Sequence, residues 1–182
     1  MTPQRTIKAL GIAAVVVLAL VVIVWFRRPA APSAPSGPIS SWKVGDKWRI
    51  SQGVRDGKPV FTRFNIALQP FIGRPEFANQ VGIAVLLNKP TPDGLPARPE
   101  FKELELIEDE IERRFLGGNE SVFAGTITTN GMREFILYTS NPQAALVKAE
   151  KLTRDIRHHR IHYVIQGDPT WENYRQFSGG GT

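Results

Sequence analysis

The densest set of ionisable side chains lies between Glu100 and Arg114, where Glu100, Glu103, Glu105, Glu108, Asp109, Glu110 and Glu112 are mixed with Lys102, Arg113 and Arg114. Glu105, Glu108, Asp109 and Glu112 stand three or four apart and share a helical face, the spacing that paired-carboxylate acid–base work or cation binding needs. Downstream, Lys148, Lys151, Arg154 and Arg157 recur at three-residue steps. An acidic helix laid beside a basic one is electrostatic complementarity before it is chemistry. Acid early and base late in the first helix also suits its dipole. The expectation is therefore structural.

Other reaction types find less support. His158, His159 and His162 are the histidines of the chain. A metal site needs three or four converging ligands, so no metal or other cofactor is expected. The adjacent pair reads as a solvent-facing basic rim that changes charge near histidine's ordinary ~6.5. With no cysteine in the chain, disulfides, thiol catalysis and iron–sulfur ligation are excluded. There is no Gly-x-Ser-x-Gly elbow and no phosphate-cradling glycine loop. Phe123 and Tyr138 read as a cross-strand aromatic pair, yet the aromatic-glycine signature of RNA-binding sheets is missing, which argues against nucleic acid.

Contacts with a ligand or partner are expected elsewhere. Thr128, Arg133 and Glu134 cluster beside a hairpin turn, with Arg133 the first choice for an anionic group. Asp93 lies in a Gly/Pro-rich loop, and Trp171 with Tyr174 makes an amphipathic edge.

The elements that position these residues follow from pattern. Residues 47–52 and 60–66 read as strands joined by a turn-rich Gly-Val-Arg-Asp-Gly-Lys-Pro segment. Residues 81–87 form a continuous apolar run that suits a central strand. Residues 99–116 are helical, with Phe101, Leu104, Ile107, Ile111 and Phe115 on one stripe and Gly117-Gly118 as the stop. Residues 122–129 and 132–139 flank Asn130-Gly131, a type I′ hairpin signal. A second helix opens with Ser140 or Asn141 as cap and Pro142 in its first turn, and buries Ala145, Ala149, Leu152 and Ile156. Residues 160–166 are the last strand, and Asp168-Pro169 starts a short helix carrying Trp171, Tyr174 and Phe177. From residue 81 the order is strand, helix, strand, strand, helix, strand. The expected fold is thus α+β, a ferredoxin-like βαββαβ sandwich with an added N-terminal hairpin, over residues 42–178.

Alternation in the central hairpin sets Phe123, Ile127, Met132, Ile136 and Tyr138 on one face, and Val122, Ala124, Phe135 and Leu137 on the other. Both faces are apolar, so the side away from the helices must also be covered. The hairpin, the Trp171–Phe177 segment, a second copy and another protein are the candidates.

Ahead of this domain, residues 9–26 lack any charged side chain. As a helix they reach about 27 Å, close to the ~30 Å of a bilayer's hydrocarbon. The run is longer than a signal-peptide core and is followed at once by Arg27-Arg28, so a retained single-pass transmembrane helix is expected, with residues 1–8 as its tail. A short N-terminal tail is usually kept inside, which puts the domain outside the cytoplasm. Residues 27–41, rich in Pro, Ala and Ser, form a tether, and residues 179–182 a frayed end. The formal charge of +6 is concentrated at Arg5, Lys8, Arg27 and Arg28, leaving 19 basic against 17 acidic residues beyond position 38. The basicity belongs to the membrane flanks.

With these residues in view, the stretch from about Trp48 to Phe177 resembles the bacterial family known as domain of unknown function 695. The resemblance is carried by Val-Gly-Ile-Ala-Val at 81–85, Asp-Gly-Leu-Pro at 93–96 and Ile107-Glu108-Asp109. Gly-Met-Arg-Glu-Phe at 131–135 and Asp-Pro-Thr-Trp-Glu-Asn-Tyr at 168–174 complete it. It implies the α+β fold and no activity. Some relatives of that family are joined to a domain like the regulator B of ribonuclease E activity, a protein inhibitor, which points to binding. The membrane anchor departs from the usual pattern. The expected function is a membrane-anchored, non-catalytic binding or adaptor domain for a protein partner or a second copy. The alternative is an enzyme with its site near the Arg133 hairpin end and the Asp93 loop.

Overall fold

Two pairs of left-handed residues set the hairpins of the sheet. Asn130 and Gly131 have φ of 45° and 79°, and Asp56 and Gly57 have φ of 51° and 74°. Two successive positive φ values make the two-residue type I′ turn, whose twist matches that of the strands it joins. The computed structural model describes residues 44–179. The expected tail, transmembrane helix and tether, and residues 180–182, lie outside the described residues.

Strands β1 (Trp48–Arg55) and β2 (Lys58–Asn65) form the first hairpin. Two 3-10 segments follow, Ile66–Phe71 and Pro75–Phe77. Then come β3 (Asn79–Leu86), α1 (Arg98–Phe115), β4 (Ser121–Thr129), β5 (Met132–Thr139), α2 (Pro142–Asp155), β6 (Ile161–Gly167) and α3 (Glu172–Phe177). The strands make one antiparallel sheet in the order β1-β2-β4-β5-β3-β6. The first turn is shorter than expected: Gly53, Val54 and Arg55 pair with Val60, Pro59 and Lys58 as part of β1. Asn141 caps α2 through its side chain, accepting from Ala144 N–H at 3.0 Å, and Pro142 takes the first turn. Among the described residues, no helix is long and apolar enough to cross a membrane.

Helices α1 and α2 cover one face. Leu104, Ile107, Ile111 and Phe115 of α1 and Ala145, Ala149 and Leu152 of α2 pack on Val81, Ile83 and Val85 of β3 and Phe135 and Leu137 of β5. Phe101, expected on that stripe, is 43% exposed. The other face is covered from within the chain. Leu68, Phe71 and Phe77 of the 3-10 segments, with Trp171 and Tyr174, close over Phe64, Ile127, Ile136 and Tyr138. The N-terminal hairpin widens the sheet instead of covering it.

A register shift between Phe123 and Gly125 breaks the alternation of β4. It turns Phe123 to the helix face with Phe135, while Ile127 faces the other way. The expected Phe123–Tyr138 pair therefore does not form: Tyr138 stands opposite Val122, and Phe123 opposite Leu137. A bulge adds one residue and so inverts every side chain on one side of it.

Candidate functional site

Of the residues singled out beside the hairpin, Thr128 and Arg133 meet. They are cross-strand partners, and Arg133 Nε donates to Thr128 Oγ1 at 3.0 Å. The guanidinium lies 6.0 Å from the Phe101 ring. Burial pulls its pKa below the ordinary arginine range, with Glu108 and Glu105 opposing. Asp93 is exposed on a loop that docks on the same turn, where Gly131 N–H donates to the Gly94 carbonyl at 2.8 Å. Lys58 Nζ reaches the Pro92 carbonyl of that loop at 3.3 Å. Glu134 takes the opposite face, as the residue after Arg133 in a strand must. Burial pushes its carboxyl above the usual range, and its Oε1 lies so close over Gly82 that a Cβ there would stand 2.7 Å from it.

Trp171 and Tyr174 are core residues with no exposed surface. Trp171 stacks on Tyr138 at 3.9 Å between ring centroids and donates from Nε1 to the Phe77 carbonyl at 2.9 Å. The Tyr174 hydroxyl donates to the Asn65 carbonyl at 2.8 Å, and burial pushes its pKa up to about 12. The expected amphipathic edge is thus the inner lining of the second face.

His159 is the other departure. Its side chain is fully buried, not solvent-facing, with Nδ1 3.0 Å from the Leu86 carbonyl oxygen and Nε2 2.9 Å from Glu103 Oε2. Both partners are hydrogen-bond acceptors, and Glu103 comes from α1. Among the described residues, no group of three or more His, Asp or Glu side chains converges to hold a metal ion.

The charges of α1 and α2 do not zip together as expected. Glu108 pairs with Arg63 of β2, and Lys148 with Glu120 at 3.3 Å. Among the described residues, Arg114 and Asp155 pair between the helices at 2.7 Å, with the base on the acidic helix. Arg113, hydrogen-bonded to Glu110, and Arg114 beside it hold the Glu110 carboxyl down at about 2.

A cavity of about 530 Å³ opens between the start of β1, the C-terminal half of α1 and the start of β4. Asp46, Glu108 and Glu112 line it against one cation, Arg63, with Trp48, Phe123 and Asn65 among its walls. Arg63 lies 4.6 Å over the Trp48 ring while paired to Glu108, and Trp48 tilts on Phe123 at 5.8 Å. Glu112 has its carboxyl pushed up, by burial first and then by Glu108, Asp109 and Asp46. Arg133, Asp93 and His162 do not line this cavity.

Beside it runs β1, at the margin of the sheet. Seven of its eight residues are exposed, Ile50 and Val54 at 75% and 76%. An edge strand presents unpaired N–H and C=O groups along its outer side. Sequence reasoning missed this edge by ending the strand at Gln52. The signal was Asp56-Gly57, which by itself completes a hairpin turn.

These observations define an α+β domain on a six-stranded antiparallel sheet, with an exposed edge strand, β1, beside a charged cleft. The chain belongs to the family of unknown function DUF695, whose model matches residues 46–178. That span takes in both the edge hairpin and the C-terminal cover. No curated protein matches the chain.

Proposed function

We propose that this chain is a membrane-anchored binding module that takes an extended segment of a protein partner onto the outer edge of β1. The observation that carries it is that edge: eight residues in unbroken register with β2, with no proline or acid, and with Ile50 and Val54 exposed. A long edge strand in regular register offers its unpaired backbone groups to a further strand, and strand addition is a common mode of peptide recognition. The order β4-β5-β3-β6, with α1 and α2 on one face, supports reading the last four strands as a ferredoxin-like unit to which the hairpin adds this edge. Residues 9–26 hold the module in the bilayer, with the domain outside the cytoplasm and residues 27–41 as its stand-off.

Photo-crosslinking of the full chain in its native membrane tests this, with the photoreactive residue at position 50 or 54 and, as control, at exposed Val147 of α2. A discrete adduct from 50 and 54 but not from 147 is expected, and its mass separates a partner from a second copy. Equal labelling at all three positions refutes the edge. The anchor is tested separately: an alkaline carbonate wash should leave the chain in the membrane pellet, and release of intact chain refutes it.

A further inference from the structure

We infer that the segment received by β1 is an extended chain of alternating charge, its basic side chains on the side of the cleft and its acidic side chains on the opposite face. The inference rests on the strand-addition reading and adds to it the chemistry of the partner.

The two faces of β1 are chemically different. Trp48 packs against the core under the helices, whereas Arg49 reaches the other side and donates to the Ser178 carbonyl at 2.7 Å. Alternation then sets Trp48, Ile50, Gln52 and Val54 on the helix side and Arg49, Ser51, Gly53 and Arg55 on the other. A strand added to β1 meets these residues face for face, because cross-strand neighbours share a side.

On the helix side the neighbouring charge is negative. The cleft at the Trp48 end carries three carboxylates, and its single cation, Arg63, is already committed to Glu108 and the Trp48 ring. That arrangement also shows how a cation is received there, over an aromatic face and against a carboxylate. Among the described residues no ion pair holds Glu112 or Asp46, whose carboxylate accepts from Trp48 Nε1, and the Glu112 carboxyl is raised by burial first and then by the like charge of Glu108, Asp109 and Asp46. On the opposite face β1 presents two arginines and no acid. Arg49 donates to the neutral Ser178 carbonyl and makes no ion pair among the described residues.

The test uses the full chain in detergent micelles and two fluorescent dodecapeptides of identical composition, built from Lys, Glu, Val and Thr. In one, Lys occupies one strand face and Glu the other; in the second, each face carries both. The alternating peptide should bind about tenfold tighter. That preference should shrink at about 0.5 M salt, where the Debye length falls below ~5 Å. It should also shrink in the double variant Asp46→Asn with Glu112→Gln, and independently in Arg55→Gln, an exposed position whose change leaves the core alone. Equal binding of the two peptides, or a preference untouched by these variants, overturns the charge inference while leaving strand addition standing. Absence of binding by either peptide overturns both.

Discussion

The sheet has two additions beyond strands β3 to β6, and they behave in opposite ways. The C-terminal addition, from Asp168 through α3, turns several polar groups inward. Asp168 accepts from the Tyr138 hydroxyl at 2.6 Å and from Glu172 N–H at 2.7 Å, while Asn173 Nδ2 donates to Gln80 Oε1 at 2.7 Å. The N-terminal addition, the β1–β2 hairpin, joins the rest through β2 and leaves β1 exposed along seven of its eight residues. Both carry three aromatic residues, Trp48, Phe61 and Phe64 in one and Trp171, Tyr174 and Phe177 in the other, so aromatic content does not separate them. The difference lies in where the side chains are used. One addition holds the fold together, and the other leaves bonding capacity facing solvent, which is what a recognition surface needs.

That contrast is broken most severely at the C-terminal cover. Trp171→Ala removes a fully buried ring stacked on Tyr138 and the hydrogen bond to Phe77. A loss of about 3–5 kcal/mol is expected in urea unfolding, the range for large aromatic truncations in a core. A loss below ~1 kcal/mol would mean that the cover is a loose flap and that the second face is open to a partner after all.

Next in size is the joint between the hairpin and the sheet. Gly125 faces β2 at the bulge, and a Cβ there would stand 2.3 Å from the Arg63 carbonyl oxygen and 2.8 Å from the Phe64 ring. The backbone atom cannot turn aside as a flexible side chain can. Gly125→Ala should cost roughly 1–3 kcal/mol or more, with amide-exchange protection falling most in β1 and β2. Uniform loss of protection across all six strands would show that hairpin and body unfold as one unit.

How far these differences could be read beforehand depends on the range of the interactions involved. Asn130-Gly131, Pro142 and the spacing of Leu104, Ile107 and Ile111 act within a few residues, and each marks its element where the structure has it. The bulge at Phe123–Gly125 lies where Phe64 approaches from a strand about 60 residues earlier, and period-two counting through β4, blind to the bulge, misplaced Phe123. Likewise the partner of Glu108 is Arg63, 45 residues away, and no helical spacing announces it. Trp171 and Tyr174 were legible as an amphipathic edge but not as buried core, because the surface they cover comes from β2, β4 and β5. Of the candidate contacts, the Thr128–Arg133 pair follows from hairpin register alone. The edge of β1 required the turn at Asp56-Gly57 to be given its minimum length.

A smaller effect, with a pH signature, comes from Glu134. It lies on the covered face with no hydrogen bond or ion pair among the described residues, and burial alone raises its carboxyl pKa. A raised carboxyl means that the folded state favours the protonated form. The native state is therefore penalised as pH rises from the unfolded value of ~4.3 through the folded one, and the penalty is constant above both. Glu134→Gln should make the protein more stable at pH 7, and the gain should vanish as pH falls below the ordinary carboxylate range. A pH-independent difference, or destabilisation at pH 7, would assign the carboxylate a partner and place Glu134 among the satisfied groups of the second face.

The smallest change in stability should accompany the largest change in recognition, and it is the sharpest test of the contrast. Ile50 and Val54 have about three quarters of their surface in water. Replacing both with lysine removes little burial, so unfolding should shift by no more than about 0.5 kcal/mol per site. Yet lysine on an edge is a natural device against strand addition, because a charged side chain must be desolvated when a further strand packs beside it. The pair Ile50→Lys with Val54→Lys should therefore abolish partner crosslinking and dodecapeptide binding while the urea midpoint stays nearly fixed. If stability fell by several kcal/mol, these side chains would belong to the fold, and the hairpin would be a second cover like the first. If stability and binding both stayed unchanged, the edge would be exposed without being used, and recognition would have to be sought on the β6 margin, where Tyr163 and Val164 are also exposed.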